Sequence, residues 1–309
     1  MGTKIKRHDG KEQEVDPQDL FDRLINLSLV WSSSQVSESE RLNLKDILCY
    51  ELSPFPAMLF ESEYLMLQSD KPQITNALKK NVEPQASEKA PIINGVHVVD
   101  GGSLLYRIPW SKRTKFENIA KSYVKYVKDH FLSPNCSAKI VFDSYPTVPT
   151  TKDSTHLRRN KEKCTNISIT KHTILDVSKA KFLSNQSNKQ RFVNFIITHL
   201  EKVCGISCIQ ANDDADVLIV KTAVNCLRSS DVTVFGEDTD LMALLLHYKD
   251  QLLETSHQLF MHTKVVNWNL KQLIEQLEVE DHKNFLKYIL VLHSLSGCDT
   301  TSRIFGKGK

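Results

Sequence analysis

Four short apolar runs, each leading into acid, constrain this chain more than any other feature of it. They are 95–100 (GVHVVD), 138–143 (AKIVFD), 206–211 (ISCIQA) and 232–236 (VTVFG). The first two end on Asp100 and Asp143, the third runs into Asn212-Asp213-Asp214-Ala215-Asp216, and the fourth into Glu237-Asp238-Thr239-Asp240. Runs this short and rich in β-branched residues read as buried strands. Between them the apolar residues change to three-four spacing, as in Phe116, Ile119, Ala120, Tyr123, Val124 and Val127, then Phe192, Phe195, Ile196 and Leu200, then 217–227. That spacing predicts helices. Strands alternating with helices predict an α/β fold with a central, mostly parallel sheet and helices on both faces.

In a parallel sheet all carboxyl ends face one way, so Asp100, Asp143, Asp214, Asp216, Asp238 and Asp240 are expected on one rim, where open α/β sheets hold ligands. A single Asp after a strand is usually a helix N-cap. Four in succession, two of them followed by doublets, supply more carboxylates than caps require. Two bare carboxylates about 4 Å apart repel by roughly 4 kcal/mol at an effective dielectric near 20, so such a gathering calls for cations. An all-oxygen set without His or Cys suits Mg²⁺ or Mn²⁺ better than zinc. A pair of such ions is the standard device for in-line attack on a phosphodiester.

The remaining sequence is less informative. With 40 basic and 37 acidic residues the net charge is +3, so no global basicity points to nucleic acid. A local cluster does: a polar insert over about 144–189 carries Lys152, Arg158, Arg159, Lys161 and Lys163. Placed after the second acid-bearing strand, it would overhang the rim and grip phosphates, although as a solvated loop it needs no function. Seven cysteines lack CxxC pairing and read as reduced thiols. No signal peptide or membrane span is expected, and the expected setting is intracellular, in the nucleus. Residues 1–14 are expected to be disordered. A helical region of unknown role follows, with helices from Asp16, over 38–52 and in part of 60–81, then a proline-containing linker at 82–91. This region is a candidate protein-binding surface. Towards the end of the chain, 257–266 reads as a hairpin and 270–277 and 282–295 as helices.

The motifs together resemble the flap-endonuclease and XPG-like 5′ nucleases of the PIN-like superfamily. Val-Val-Asp100-Gly-Gly is similar to that family's first strand and acid, and Val-Phe-Asp143-Ser to its second. Ala211-Asn-Asp-Asp214-Ala-Asp216 is similar to its A-x-x-E-A-E segment with Asp for both Glu, which retracts each carboxylate by one methylene. Gly236-Glu-Asp238-Thr-Asp240-Leu-Met-Ala resembles S-E-D-x-D-L-L-A, and Leu295-Ser-Gly297-Cys-Asp299-Thr resembles L-x-G-x-D-Y. The resemblance covers about 91–309 and implies a PIN-like three-layer nuclease domain after the N-terminal region at 1–90. It adds Asp299 as a seventh ligand for two Mg²⁺ or Mn²⁺ ions. It also implies phosphate-steering roles for Lys152 and Arg158, with Arg159 and Lys161 on nucleic acid. Gly306, Lys307 and Gly308 would form the start of a duplex-binding hairpin motif, cut off at Lys309.

The expected function is therefore metal-dependent hydrolysis of DNA phosphodiesters, at flaps or junctions. Two rivals stay open. One is a ribonuclease of the wider PIN type, with single-stranded RNA as substrate. The other is an inactive module that keeps the fold and binds partners.

Overall fold

A computed structural model describes residues 94–145, 164–212, 214–264, 266–279 and 283–304, with shorter stretches and single positions before residue 94. Among the latter, β1 (Thr3–Lys6) pairs antiparallel with β2 (Glu12–Val15), and β3 (Phe60–Ser62) with β4 (Leu65–Met66). A third short strand, β5 (Gln85–Ala86), joins the main sheet described below. Three expectations change accordingly. Residues 3–6 and 12–15 pair as strands where disorder was expected, 60–62 and 65–66 are strand within a stretch expected to be helical in part, and the linker contributes an edge strand. Helical residues do occur at 18, 21–22, 24–26, 76 and 78–79, whereas the helix expected over 38–52 lies outside the described residues.

The main body follows in chain order. It begins β6 (Gly95–Asp100), α1 (Gly101–Arg107), β7 (Thr114–Lys115), α2 (Phe116–Phe131), β8 (Cys136–Phe142) and β9 (Ile174–Leu175). Next come α3 (Lys179–Ser184), α4 (Gln186–Cys204), β10 (Ser207–Gln210), α5 (Asp216–Leu227) and β11 (Asp231–Phe235). It ends with α6 (Thr239–His247), α7 (Lys249–Leu253), β12 (Leu259–His262), β13 (Val266–Asn269), α8 (Leu270–Val279) and α9 (Lys283–Leu295).

The sheet has seven strands in the order β10-β8-β6-β11-β12-β13-β5. The first five are mutually parallel, and β13 and β5 close the edge antiparallel. The order reverses between β6 and β11, because the chain builds outward from β6 to β10 and then crosses back to the other side. Such a reversal opens a crevice at the carboxyl ends of the two central strands.

Alternation along the central strands explains why they are mostly apolar on both faces. In β6, Val98 faces one core and Val99 the other; in β8, Val141 faces the first while Ile140 and Phe142 face the second. In β11, Val232 and Val234 face the first and Phe235 the second. Successive side chains of a strand point to opposite faces, so a sheet covered on both sides favours apolar residues at consecutive positions; His97 and Thr233 are the buried polar exceptions on β6 and β11. Residues of α5, α6, α8 and α9 fill the first core, and residues of α1, α2, α3 and α4 the second. The architecture is thus three-layered.

The second half of the basic insert belongs to this body. Leu175, Phe182 and Leu183 are buried in the second core, and β9 pairs with β7. The helix starts are capped as their sequences dictate. Ser178 accepts from Lys181 N at the head of α3, and Asn185 from Asn188 N at the head of α4. Gly205, with φ of 64°, ends α4 in the left-handed conformation that a Cβ disfavours. The hairpin expected at 257–266 is present as β12–β13, a few residues later.

Candidate active site

The seven acids expected at the site all sit beyond the carboxyl ends of parallel strands or on the loop after α9. Asp100 ends β6 and caps α1, its Oδ1 accepting from Ser103 N at 3.1 Å. Asp143 follows β8 directly. Its Oδ1 accepts from Ala215 N at 2.9 Å, which ties it between Asp214 and Asp216, and its Oδ2 accepts from the Tyr145 hydroxyl at 2.9 Å. Asp214 Oδ1 accepts from Asp216 N at 3.3 Å. Asp238 caps α6, accepting from Asp240 N at 3.1 Å.

Two groupings result. Asp100 and Asp143 face each other across Gly102: a Cβ at Gly102 would stand 3.1 Å from Asp100 Oδ1 and 3.1 Å from Asp143 Oδ2. Only a residue without that atom leaves the space between the two oxygens open. On the other side of the switch point, Asp238, Asp240 and Asp299 each place a carboxylate oxygen within 4.8 Å of the other two. All three are half-buried.

Asp299 is delivered by a tight reversal after α9. Gly297 has φ of 93°, and a Cβ there would meet Arg303 N at 2.7 Å. Thr301 closes the turn, its hydroxyl donating to Ser294 O at 2.8 Å while its own carbonyl accepts from Cys298 N at 3.1 Å.

Electrostatics link the two groupings. The Asp100 carboxyl is pushed up to about 6, first by burial and then by the charges of Asp143 and Asp238, against the pull of the Ser103 and Gly102 amides. Carboxylates from β6, β8 and β11 therefore share one field. Tyr145 is raised well above the usual phenol range by burial and by Asp143, so it stays protonated and donates. The Lys189 ammonium lies 3.9 Å from the centroid of the Tyr145 ring.

Glu237, the remaining acid of the fourth run, is turned away. Its Oε1 pairs with Arg107 Nη2 at 2.6 Å, and its Oε2 accepts from Lys264 N at 3.4 Å. That ion pair removes one negative charge from the rim and joins the end of α1 to the entry of α6.

Three residues of the site carry no mark in the sequence. Tyr145 is one of several tyrosines, Arg107 one of many basic residues, and His293 falls within an apolar helix. The histidine is buried, with Nε2 3.1 Å from Asp240 Oδ1. Lys152, Arg158, Arg159, Lys161, Gly306, Lys307 and Gly308 lie outside the described residues.

The donor set tests which group the site fits. It offers carboxylate oxygens alone, with no thiolate or imidazole in the Asp238, Asp240 and Asp299 trio. That is chemistry for a hard divalent cation.

No family model and no curated protein matches the chain. Among solved structures it is similar to the T5 D15 protein co-crystallised with metal ions, at 14% identity over 69% of this chain and 70% of that one, with a TM-score of 0.44. It is also similar to the catalytic core of Rad2 in complex with a DNA substrate, at 16% identity over 76% of this chain and 62% of that one, with a TM-score of 0.38. A T5 5′-exonuclease mutant is similar at 13% identity over 69% and 67%, with a TM-score of 0.37. At these values the likeness stands as likeness, and what the site can do is argued from its own side chains.

Proposed function

We propose that this chain is a divalent-metal-dependent nuclease that hydrolyses phosphodiester bonds in DNA. One observation carries the reading: Asp238, Asp240 and Asp299 bring carboxylate oxygens within 4.8 Å of one another beside the switch point of the sheet, with Asp100 and Asp143 flanking Gly102 at the ends of the neighbouring strands. Repulsion between two carboxylates about 4 Å apart is roughly 4 kcal/mol at an effective dielectric near 20 and nearer 1 kcal/mol where water screens it, a cost that counts against a domain's stability of about 5–15 kcal/mol. A purely structural rim has no use for it.

Asp238, Asp240 and Asp299 would hold one cation, and Asp100 and Asp143, with Asp214 and Asp216 beside them, a second. Bound Mg²⁺ or Mn²⁺ would generate hydroxide at neutral pH and take up charge on the attacked phosphate. The protein's own part is positioning. Ala215 N and Tyr145 hold both oxygens of Asp143, Ser103 N holds Asp100, and Arg107 keeps Glu237 out of the trio. Lys152 and Arg158 would steer the phosphate, with Arg159 and Lys161 on the flanking backbone, so binding should weaken steeply with salt.

The test is a cleavage assay of the full chain with Mg²⁺ or Mn²⁺ on flap DNA, single-stranded DNA and RNA, with Asp238→Asn as control. Cutting of DNA that EDTA stops and the variant lacks is the expected result. Preference for RNA would replace DNA by RNA as substrate. Folded protein that cuts none of the three with either ion would leave the binding-module reading.

A further inference from the structure

We propose that His293 is a positioning residue for the metal centre, holding Asp240 in the orientation that lets it face a cation; the inference rests on the metal-dependent reading above. His293 lies in the last turns of α9, which packs along α6. Its side chain is 9% exposed and that of Asp240 14%, and Nε2 meets Oδ1 at 3.1 Å. The imidazole stands outside the trio whose oxygens lie within 4.8 Å of one another. It therefore contacts Asp240 without being one of the cluster's donors.

The geometry gives this contact a specific consequence. Asp240 is the second residue of α6, and its backbone N–H is already spent on capping by Asp238. The helix fixes where its Cα sits, and side-chain contacts set the direction of its carboxylate. The buried imidazole, its Nε2 3.1 Å from Oδ1, restrains that direction. Carboxylates that bind cations are themselves commonly fixed by such outer hydrogen bonds, and loss of one typically costs about 10–100-fold in metal affinity or activity.

The same helix also leads to Asp299. Ser296 donates to His293 O at 3.1 Å, and Gly297 then reverses the chain. A single element, α9, thus sets two of the three carboxylates, one through an imidazole and one through a turn. Nothing in local sequence pattern asks for a histidine here: the neighbouring apolar positions Leu286 and Ile289 are ordinary core.

The test compares His293→Gln with His293→Leu and His293→Asn in the full chain. Glutamine carries an N–H donor at about the reach of Nε2, asparagine one that is too short, and leucine none. Mn²⁺ binding is read by electron paramagnetic resonance and by the shift in melting temperature. Cleavage is read as kcat and KM at saturating metal.

The expected result is a rise of about 10-fold or more in the Mn²⁺ dissociation constant for leucine and asparagine, with glutamine within about threefold of the parent chain. The KM for nucleic acid should not move. Leucine and asparagine variants that fold and bind Mn²⁺ like the parent would overturn the positioning role while leaving the metal reading intact. Failure of glutamine to do better than asparagine would overturn it too. A parent chain that binds no Mn²⁺ would overturn both the role and the reading. Should leucine not fold, the glutamine and asparagine pair decides.

Discussion

The two sides of the acidic rim are built on different terms. On the β6–β8 side the carboxylates already have protein partners: Asp100 accepts from Ser103 N, and both oxygens of Asp143 accept, one from Ala215 N and one from Tyr145. On the β11–α9 side three carboxylates crowd within 4.8 Å. Hydrogen bonds to an ionised carboxylate favour its charged form and fix its direction, whereas like charges at close range do the opposite. The first side is a wall held largely by protein donors, although Asp100 is still raised to about 6 by burial and by Asp143 and Asp238. On the second, Asp238 accepts from Asp240 N and His293 meets Asp240, and the crowding of three charges is what a cation would relieve. A cation would accordingly be felt as stability mainly at the trio and as geometry mainly at Asp100 and Asp143.

The strongest blow to that contrast should come from Asp238→Asn. Asparagine keeps the cap on α6 but removes one charge of the trio, so cleavage should fall by about 10³-fold, a loss of roughly 4 kcal/mol in transition-state stabilisation. In EDTA the variant should be as stable as the parent or more so, by about 1 kcal/mol, because repulsion is relieved. A variant that is markedly less stable in EDTA would mean that the trio is not strained without metal. Urea denaturation with and without Mg²⁺ measures it.

Gly102→Ala attacks the other side. Its Cβ would lie 3.1 Å from an oxygen of each of Asp100 and Asp143, closing the space between them while leaving every charge in place. Cleavage should drop about 10–100-fold, corresponding to about 1.4–2.8 kcal/mol. Stability should change by less than about 1 kcal/mol, since alanine in a helix offsets the tight fit. Full activity would show that nothing has to sit between these two oxygens.

Acid titration separates the sides by charge. Asp100 has its carboxyl at about 6 in the folded chain, against 3.8 for a free one. Between those values the folded state binds the proton more tightly than the unfolded state, so this group's contribution to stability falls as pH rises from about 4 to about 6. The fall is at most about 3 kcal/mol and nearer 1 once partial exposure is allowed for. His97 and His262, both lowered chiefly by burial, act in the opposite sense. The quantity to measure is therefore the difference between the parent and Asp100→Asn in EDTA, by urea denaturation at pH 4 to 7. Mg²⁺ should flatten it by holding the carboxylate ionised; a difference unchanged by Mg²⁺ would place the ion elsewhere.

Much of this was legible before any coordinates. The central strands are legible because burial on both faces favours nearly unbroken apolar runs, and a parallel sheet then fixes which end the acids occupy. Asp299 came only from motif resemblance, since the turn that returns it needs the steric relation of Gly297 to Arg303. His293 could not be found: its neighbours on α9 are apolar, and only the packing of α9 on α6 turns its ring towards Asp240. The strand pair β3–β4, within a stretch that reads as partly helical, is hidden for a similar reason. Leu67 N donates to Ser302 Oγ at 3.2 Å, and Arg303 N donates to Leu67 O at 3.4 Å, so distant residues flank that strand pair. Gln85 and Ala86 become a strand because β13 offers an open edge, and tertiary context of this kind overrides a polar, proline-flanked sequence.

The smallest effect probes the preformed wall itself. Tyr145→Phe keeps the buried ring, and with it the Lys189 ammonium 3.9 Å from its centroid, and deletes only the donor to Asp143 Oδ2. Hydrogen bonds to charged groups contribute about 1.5–3 kcal/mol, and since Asp143 is only half-buried the loss should sit at the low end, about 1.5 kcal/mol. If the wall stands by protein donors alone, that loss appears in full in EDTA. With Mg²⁺ it should shrink, because a cation on the same oxygen takes over the role of the missing hydroxyl. Cleavage should change by less than about 10-fold, since Ala215 N still fixes the other oxygen. A Tyr145→Phe chain as stable as the parent in EDTA would break the contrast at its base: the β6–β8 side would then be no better satisfied without metal than the trio, and both would have to wait for a cation to take shape.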